Sequence, residues 1–458
     1  MSRARVTSAL SVVTALLLAG APASPCARLL AQTTASTLAP AGDSLSAAER
    51  ALSRAVDARA PEGLALLQRI VDINSGTMNL AGVRAVGDVL RREFDALGFA
   101  TRWIDGAPFQ RAGHLVAEYP GSGPHILLIG HLDTVFEPTS PFQKFERLSD
   151  STARGPGIID MKGGDVIIVQ AVKALAATGA LRGMHLTVIM HGDEEKAGTP
   201  QSLARATIRE LAKTAEYAIG FEDGSGDPHT AIVSRRSAGG WVLTSTGTPA
   251  HSSQIFRNDV GFGAIYESAR VLDAFRERLA GQQYLTFNPG VALGGTDVHL
   301  DSTITDGTAA GKTNVVAKTM QVSGDLRAIS PEQIAEAKRV MQEIVGQSLP
   351  GTHSAITFDD GYPPMAPTDA NRLLLARYDQ GSRALGYGPV VAVDPSKAGA
   401  ADVSFVAPFV SAAIDGVGLA GWDDHTDKET ANLHMLAPLT KRAALLLLRL
   451  QVRDKPKA

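Results

Sequence analysis

Two seven-residue segments, HILLIGH (125–131) and HLTVIMH (185–191), are apolar at nearly every interior position and end on histidine. A strand with one wet face alternates polar and apolar residues, so runs of this kind belong to strands covered on both faces. Helical patterns lie around them: VRAVGDVLRREFDALG (83–98), DVIIVQAVKALAATG (165–179) and SLARATIRELAKT (202–214). A third apolar run, EYAIGFE (216–222), follows the last of these. Buried strands alternating with helices predict an α/β fold with a mostly parallel sheet flanked by helices. Upstream, residues 46–73 predict helix with a break near Pro61, because proline lacks the N–H and its ring clashes inside a helix.

The texture changes at Ser237. GGWVLTSTG (239–247), QYLTFNPGVALGG (283–295) and TMQVSGDLRAI (319–329) alternate like half-exposed strands, and the helical stretches 262–280 and 330–348 separate them. Beyond about residue 358 the α/β pattern resumes and runs to a final helix, APLTKRAALLLLRLQV. The expected organisation is a catalytic domain over 49–236 and 359–458, with a smaller α+β lid or dimerisation domain inserted over 237–358. Arg3 and Arg5, the apolar ALSVVTALLLAG and Ala21-Pro22-Ala23 read as a signal peptide over 1–23, followed by a flexible leader over 24–48. That predicts an exported protein, periplasmic or secreted. The apolar core falls short of the roughly 18 residues a membrane-spanning helix needs.

Ligand sites in open α/β sheets lie beyond the carboxyl ends of the strands. Here those ends carry His131 and Asp133, then Asp193, Glu194 and Glu195, then Glu222 and Asp223. Asp160 sits in the glycine-flanked GPGIIDMKGG, and His425 in the polar loop GWDDHTDKE. Carboxylates brought together raise one another's pKa unless a cation sits among them. The only cysteine is Cys26, so neither an internal disulfide nor a thiolate metal site is available. Histidines and carboxylates suit zinc first, with cobalt or manganese as alternatives. One of the adjacent carboxylates can then bind metal while its neighbour handles protons. A net charge of −3 gives no basic footprint for nucleic acid, which points to a small-molecule partner.

In order, HLDTV, GPGIIDMKGG, DEEKAG, FED and HTDKE resemble the metal-site motifs of the M20 metallopeptidases, a family that includes glutamate carboxypeptidases, dipeptidases and aminoacylases. The resemblance covers essentially the whole mature chain. It implies two divalent ions, one held by His131 and Glu222, the other by Glu195 and His425, with Asp160 bridging. It also implies Glu194 as general base, Asp133 orienting His131, and a cis bond between Asp160 and Met161. His251 of GTPAHSS would stabilise the oxyanion, reaching across from a second subunit in dimeric relatives, while Asn314 and Arg327 would bind substrate. Glu222 and Asp223 remain alternatives at the first metal, and register with similar carboxypeptidases favours Glu222. Asp193 reads as a loop or supporting carboxylate, at least two of Asp423, Asp424 and Asp427 as solvating their loop, and the remaining histidines, His114 and His191 among them, as packing or exposed residues.

The expected activity is therefore hydrolysis of an amide bond in a small peptide or N-acyl amino acid, carboxypeptidase-like. The alternatives are an N-acyl amino acid deacylase and an exported binding protein for metal or peptide. Two departures bear on the substrate. Where similar glutamate carboxypeptidases carry GRP, with an arginine for the substrate carboxylate, this chain has DGYPPMAP with Tyr362. The GGGTD loop is replaced by KAGAAD, which brings in Lys397.

Overall fold

The computed structural model describes residues 44–451. The expected signal peptide and most of the leader lie outside them. The chain enters through α1 (Ala47–Val71), opened by a capping box in which Ser46 and Glu49 satisfy each other's backbone N–H groups. Pro61 lies inside this helix, and the expected break does not occur. A proline inside a helix costs roughly 3 kcal/mol. Leu52, Val56, Leu66, Leu67, Ile70 and Val71 are all buried along α1, and each contributes about 1.5 to 3 kcal/mol of burial. Packing therefore outweighs the local penalty.

Next come α2 (Leu80–Asp95), β1 (Ala100–Asp105), β2 (Gly113–Tyr119) and β3 (His125–His131). They are followed by α3 (Lys162–Ala177), β4 (His185–His191) and β5 (Tyr217–Gly220). β3 is buried at every position, as its unbroken apolar run requires. It lies between β4 and β5, parallel to both. Outside β4 the sheet turns antiparallel through β2 and β1, an edge pair that the sequence pattern did not single out. Alternate residues of β3 feed two cores: Ile126 and Leu128 pack with α1, α2 and α3, while Leu127 and Ile129 meet Ile208, Val403 and Phe405 on the other face.

From Ala238 the chain builds a second, antiparallel sheet from β6 (Ala238–Gly247), β7 (Thr286–Gly295), β8 (Thr319–Arg327) and β9 (Thr352–Tyr362), in the order β7-β8-β6-β9. The helices α4 (Gly263–Leu279) and α5 (Pro331–Val345) cover it, burying Trp241, Leu243, Phe275, Val322 and Met341 in a core of their own. This unit is called the lid below. β9 was not among the sequence-predicted strands; it pairs along β6 as far as Tyr362 opposite Ala238. Just outside the lid sheet, Arg235 and Met365 bridge, so the outgoing and returning chains run side by side. The chain then adds α6 (Asp369–Ala384), β10 (Ala412–Ile414) and α7 (Leu436–Leu450). β10 joins β5 in parallel and completes a six-stranded sheet. Among the described residues no helix is long and apolar enough to cross a membrane.

Candidate metal centre

Strands β3, β4 and β5 run parallel, so their carboxyl ends deliver His131, the Asp193–Glu195 loop and Glu222 to one edge of the sheet. Asp160 arrives from the loop before α3 through a cis bond to Met161. The first turn of α3, directly after that loop, packs tightly on the end of β5: a Cβ at Gly164 would stand 2.0 Å from the Phe221 carbonyl oxygen. On the far side, Asp423 and His425 both adopt left-handed backbone with φ of 63° and 58°, which turns the imidazole inward.

Two groups of donors result, sharing Asp160. His131 Nε2 lies 3.1 Å from Asp160 Oδ1 and 3.6 Å from Glu222 Oε1. His425 Nε2 lies 2.8 Å from Asp160 Oδ2 and 3.2 Å from Glu195 Oε2. Glu222 is thus the member of the Glu222–Asp223 pair that meets His131, and Asp223 lines the adjoining cavity. Asp424 comes closer than a merely solvating residue would, with a carboxylate oxygen within 4.8 Å of both Asp160 and His425 donor atoms. The ring of His131 is steered from behind by the Asp133 main-chain oxygen, 3.0 Å from Nδ1. The Asp133 carboxylate itself is 3.6 Å away and instead accepts from the Glu194 and Glu195 amides at 3.0 and 3.2 Å and from the Thr77 hydroxyl at 2.6 Å.

The electrostatics of this cluster are unbalanced without a cation. Burial, and then the charge of Asp160, pushes Glu195 up to about 7, while burial and Asp160 hold Glu222 at about 7 against the pull of His131. Hydrogen bonds to Asp160 and Glu195 raise His425 to about 11. Burial opposes the charge on His131, yet Glu222 and Asp160 carry it well above the ordinary imidazole range. Glu195 Oε1 is buried with no hydrogen-bond partner. Crowded carboxylates, two histidines facing them and an unpartnered oxygen fit a site for divalent cations.

Glu194 stands apart from both groups. Its carboxylate has no hydrogen-bond partner among the described residues, and it lines a cavity of about 230 Å³ together with Asp160, Glu195, Glu222, Arg235, Lys397 and His425. Burial, then the charges of Glu222 and Asp402, lifts its carboxyl well above the usual range, as suits a proton-transfer group. His251, Asn314 and Arg327 are not brought to this cavity. His251 is exposed on the lid with Nδ1 2.8 Å from the Ser253 hydroxyl, and Asn314 lies beside it, its carbonyl accepting from Ser252 N–H at 2.9 Å. Arg327, at the end of β8, pairs with Asp325 at 3.0 Å. A larger cavity of about 650 Å³ lies within the lid and shares no lining residue with the metal-donor cavity.

Sequence reasoning overlooked two supports. Glu429, which closes the HTDKE motif, is fully buried and accepts backbone N–H bonds from Gly157, Ile159 and Asp160 at 2.9, 2.8 and 3.1 Å, thereby fixing the loop that carries Asp160. Its place four residues after His425 was the available signal. Arg205 is also fully buried, with Nη1 2.7 Å from Asp193 Oδ1 and Nε 2.7 Å from Asp402 Oδ1. His191 Nδ1 donates to the other Asp402 oxygen, and His114 lies beside Asp193 at 3.8 Å. Nothing local in SLARAT marks Arg205 as different from a surface arginine.

A mostly parallel sheet with two histidines and crowded carboxylates at its carboxyl edge is the arrangement of a metal-dependent hydrolase. Residues 127–449 match the profile of peptidase family M20/M25/M40, and the chain belongs to that family. It is 24% identical over 386 residues to carboxypeptidase G2 of Pseudomonas sp. (strain RS-16), an alignment spanning 83% of this chain and 87% of that one. It is 27% identical over 288 residues to aminoacylase-1A of Rattus norvegicus, spanning 60% and 67% respectively. The fold is shared with a Bacillus subtilis protein described as a dinuclear metal binding peptidase from the M20 family, with a TM-score of 0.60 and 14% identity over 86% of this chain and 99% of the other.

Proposed function

We propose that this protein is an exported hydrolase that cleaves an amide bond in a small peptide or N-acyl amino acid, in the manner of a carboxypeptidase. The observation that carries this is the position of Glu194, inside the cavity lined by the metal donors but bonded to none of them. His131 and Glu222 would hold one divalent ion, Glu195 and His425 the other, with Asp160 shared between them; zinc suits these donors best, with cobalt and manganese as alternatives. When bound, such ions would polarise the amide carbonyl and acidify the attacking water.

The residues of the chain supply the rest. Glu194 takes a proton as the water oxygen bonds to the carbonyl carbon, and delivers a proton to the nitrogen as the C–N bond breaks. Asp133 holds the Glu194 and Glu195 amides, so the base and its ligand neighbour share one anchor. Lys397 lines the same cavity and would face a substrate carboxylate, which favours substrates that carry one, while the neighbouring Arg235 is engaged by Asp415 at 2.8 Å. His251 and Asn314, adjacent on the lid, would join the oxyanion and substrate from a moved lid or from the second subunit of a homodimer formed through the inserted domain. Export rests on the signal-like residues 1–23. An N-acyl amino acid deacylase is the second reading, favoured by the likeness to aminoacylase-1A.

The test is turnover of a panel of N-blocked amino acids and dipeptides by the mature protein, after chelation, after zinc is restored, and in Glu194→Gln. Activity lost to chelator, recovered with zinc and absent in the variant supports the hydrolase, and the panel separates peptidase from deacylase. A metal-loaded protein silent across the whole panel would leave a binding role. Sequencing the N-terminus of protein from the culture medium and the periplasmic extract tests export.

A further inference from the structure

We propose that Tyr362 is a positioning residue for Glu194, tying the last residue of the lid sheet to the backbone that carries the base, and that it does not receive a substrate carboxylate. The proposal rests on Glu194 being the base, as above. Tyr362 ends β9 opposite Ala238, where the chain leaves the lid for the large sheet. Its hydroxyl lies 2.9 Å from the Glu194 carbonyl oxygen and 2.7 Å from Arg205 Nη2. A carbonyl can only accept and a guanidinium can only donate, so the single phenolic proton is committed to Glu194. None remains for a ligand carboxylate.

Glu194 is thereby held on both sides: its N–H by Asp133 at 3.0 Å, its carbonyl by Tyr362, with the side chain left free in the cavity. Arg205 does not lend its charge to substrate either, since Asp193 and Asp402 engage its guanidinium and it is fully buried. What it gives Tyr362 is direction. The phenol ring is fixed against Phe405, with centroids 4.9 Å apart, and the Arg205 guanidinium lies 5.6 Å from both ring centroids. A shift of the returning lid strand would therefore be felt at the Glu194 peptide through one hydrogen bond. Tyr362 occupies the stretch where similar carboxypeptidases place a carboxylate-binding arginine, so in this chain that task would pass to Lys397, which lines the cavity.

Tyr362→Phe keeps the ring packing and removes only the relay. The expected result is a loss of about tenfold in kcat with KM changed by less than about twofold, the size of one misplaced hydrogen bond. Metal content should stay at the wild-type value, and amide exchange should quicken in residues 190–198 alone. Replacing Tyr362 by 3-fluorotyrosine, which keeps the donor, should restore kcat. A rise in KM with kcat retained would make Tyr362 a carboxylate receptor and overturn the proposal, as would an unchanged kcat in an active wild-type background. A silent wild type would instead remove the hydrolase reading, and this inference with it.

Discussion

Glu429→Gln separates a group that supports the fold from one that supports metal binding. Burial, and then the charge of Asp160, push the Glu429 carboxyl up to about 8, although three backbone N–H groups pull it down. Without metal, the charged form is therefore poorly tolerated near neutrality, and a neutral amide in its place should change the stability of the chelated protein little. Cations beside Asp160 would offset that repulsion and leave the three bonds as the dominant effect. Glutamine's carbonyl oxygen can keep the bonds from Ile159 and Asp160, which both go to Oε1, but its NH2 group would face the Gly157 N–H now bound by Oε2. Losing one bond to a charged acceptor costs about 2 kcal/mol, which corresponds to roughly 30-fold in metal affinity. The assay is competition with a chromophoric chelator at pH 7, beside thermal melts with and without metal. Equal destabilisation of both forms with unchanged affinity would refute the reasoning and leave Glu429 as plain structural anchoring.

The chelated protein should lose stability as pH rises. Glu195 and Glu222 have folded pKa values near 7, above the ordinary 4.5, so the fold binds their protons more tightly than the unfolded chain does. Their contribution is fully present below about pH 4.5 and is lost as pH passes through 7, and urea midpoints of metal-free protein between pH 5 and 8 test the sign. Arg205→Ala should destabilise by about 3 to 5 kcal/mol, because it leaves Asp193 and Asp402 buried without their cation; an unchanged urea midpoint would contradict this. Lys397→Ala should raise KM for free-acid substrates several-fold, in the range of about 0.5 to 1.5 kcal/mol, with little change in kcat, and steady-state kinetics at low and high salt would reveal it.

Much of this protein was legible in its sequence because the relevant signals are local or ordered along the chain. The seven-residue apolar runs gave β3 and β4 their full extents, since a strand buried on both faces has no freedom to alternate. The residues directly after those strands had to lie at one edge of the sheet once the strands were parallel, and His131, Glu194, Glu195 and Glu222 do so. The failures have equally specific causes. Pro61 was read by its local cost, but the helix continues because its apolar face is buried along the whole length. β1 and β2 were missed because their residues mix polar and apolar without a clean period, Gly113 and His114 being buried in β2, and β9 because its one buried position is a serine, Ser354.

Residue chemistry and order in the sequence determined the α/β class and supplied the histidines and carboxylates that gather at the sheet edge. Tertiary structure alone decided what surrounds them. That Glu222 rather than Asp223 meets His131 depends on the backbone leaving β5, and Asp424 approaches Asp160 because of two left-handed residues in its loop. The supports of the site join residues far apart in the chain: Glu429 to Gly157, Arg205 to Asp402, Tyr362 to Glu194. Hydrogen bonds and buried ion pairs act over about 3 Å whatever the sequence separation, so no local pattern records them until the fold closes the distance.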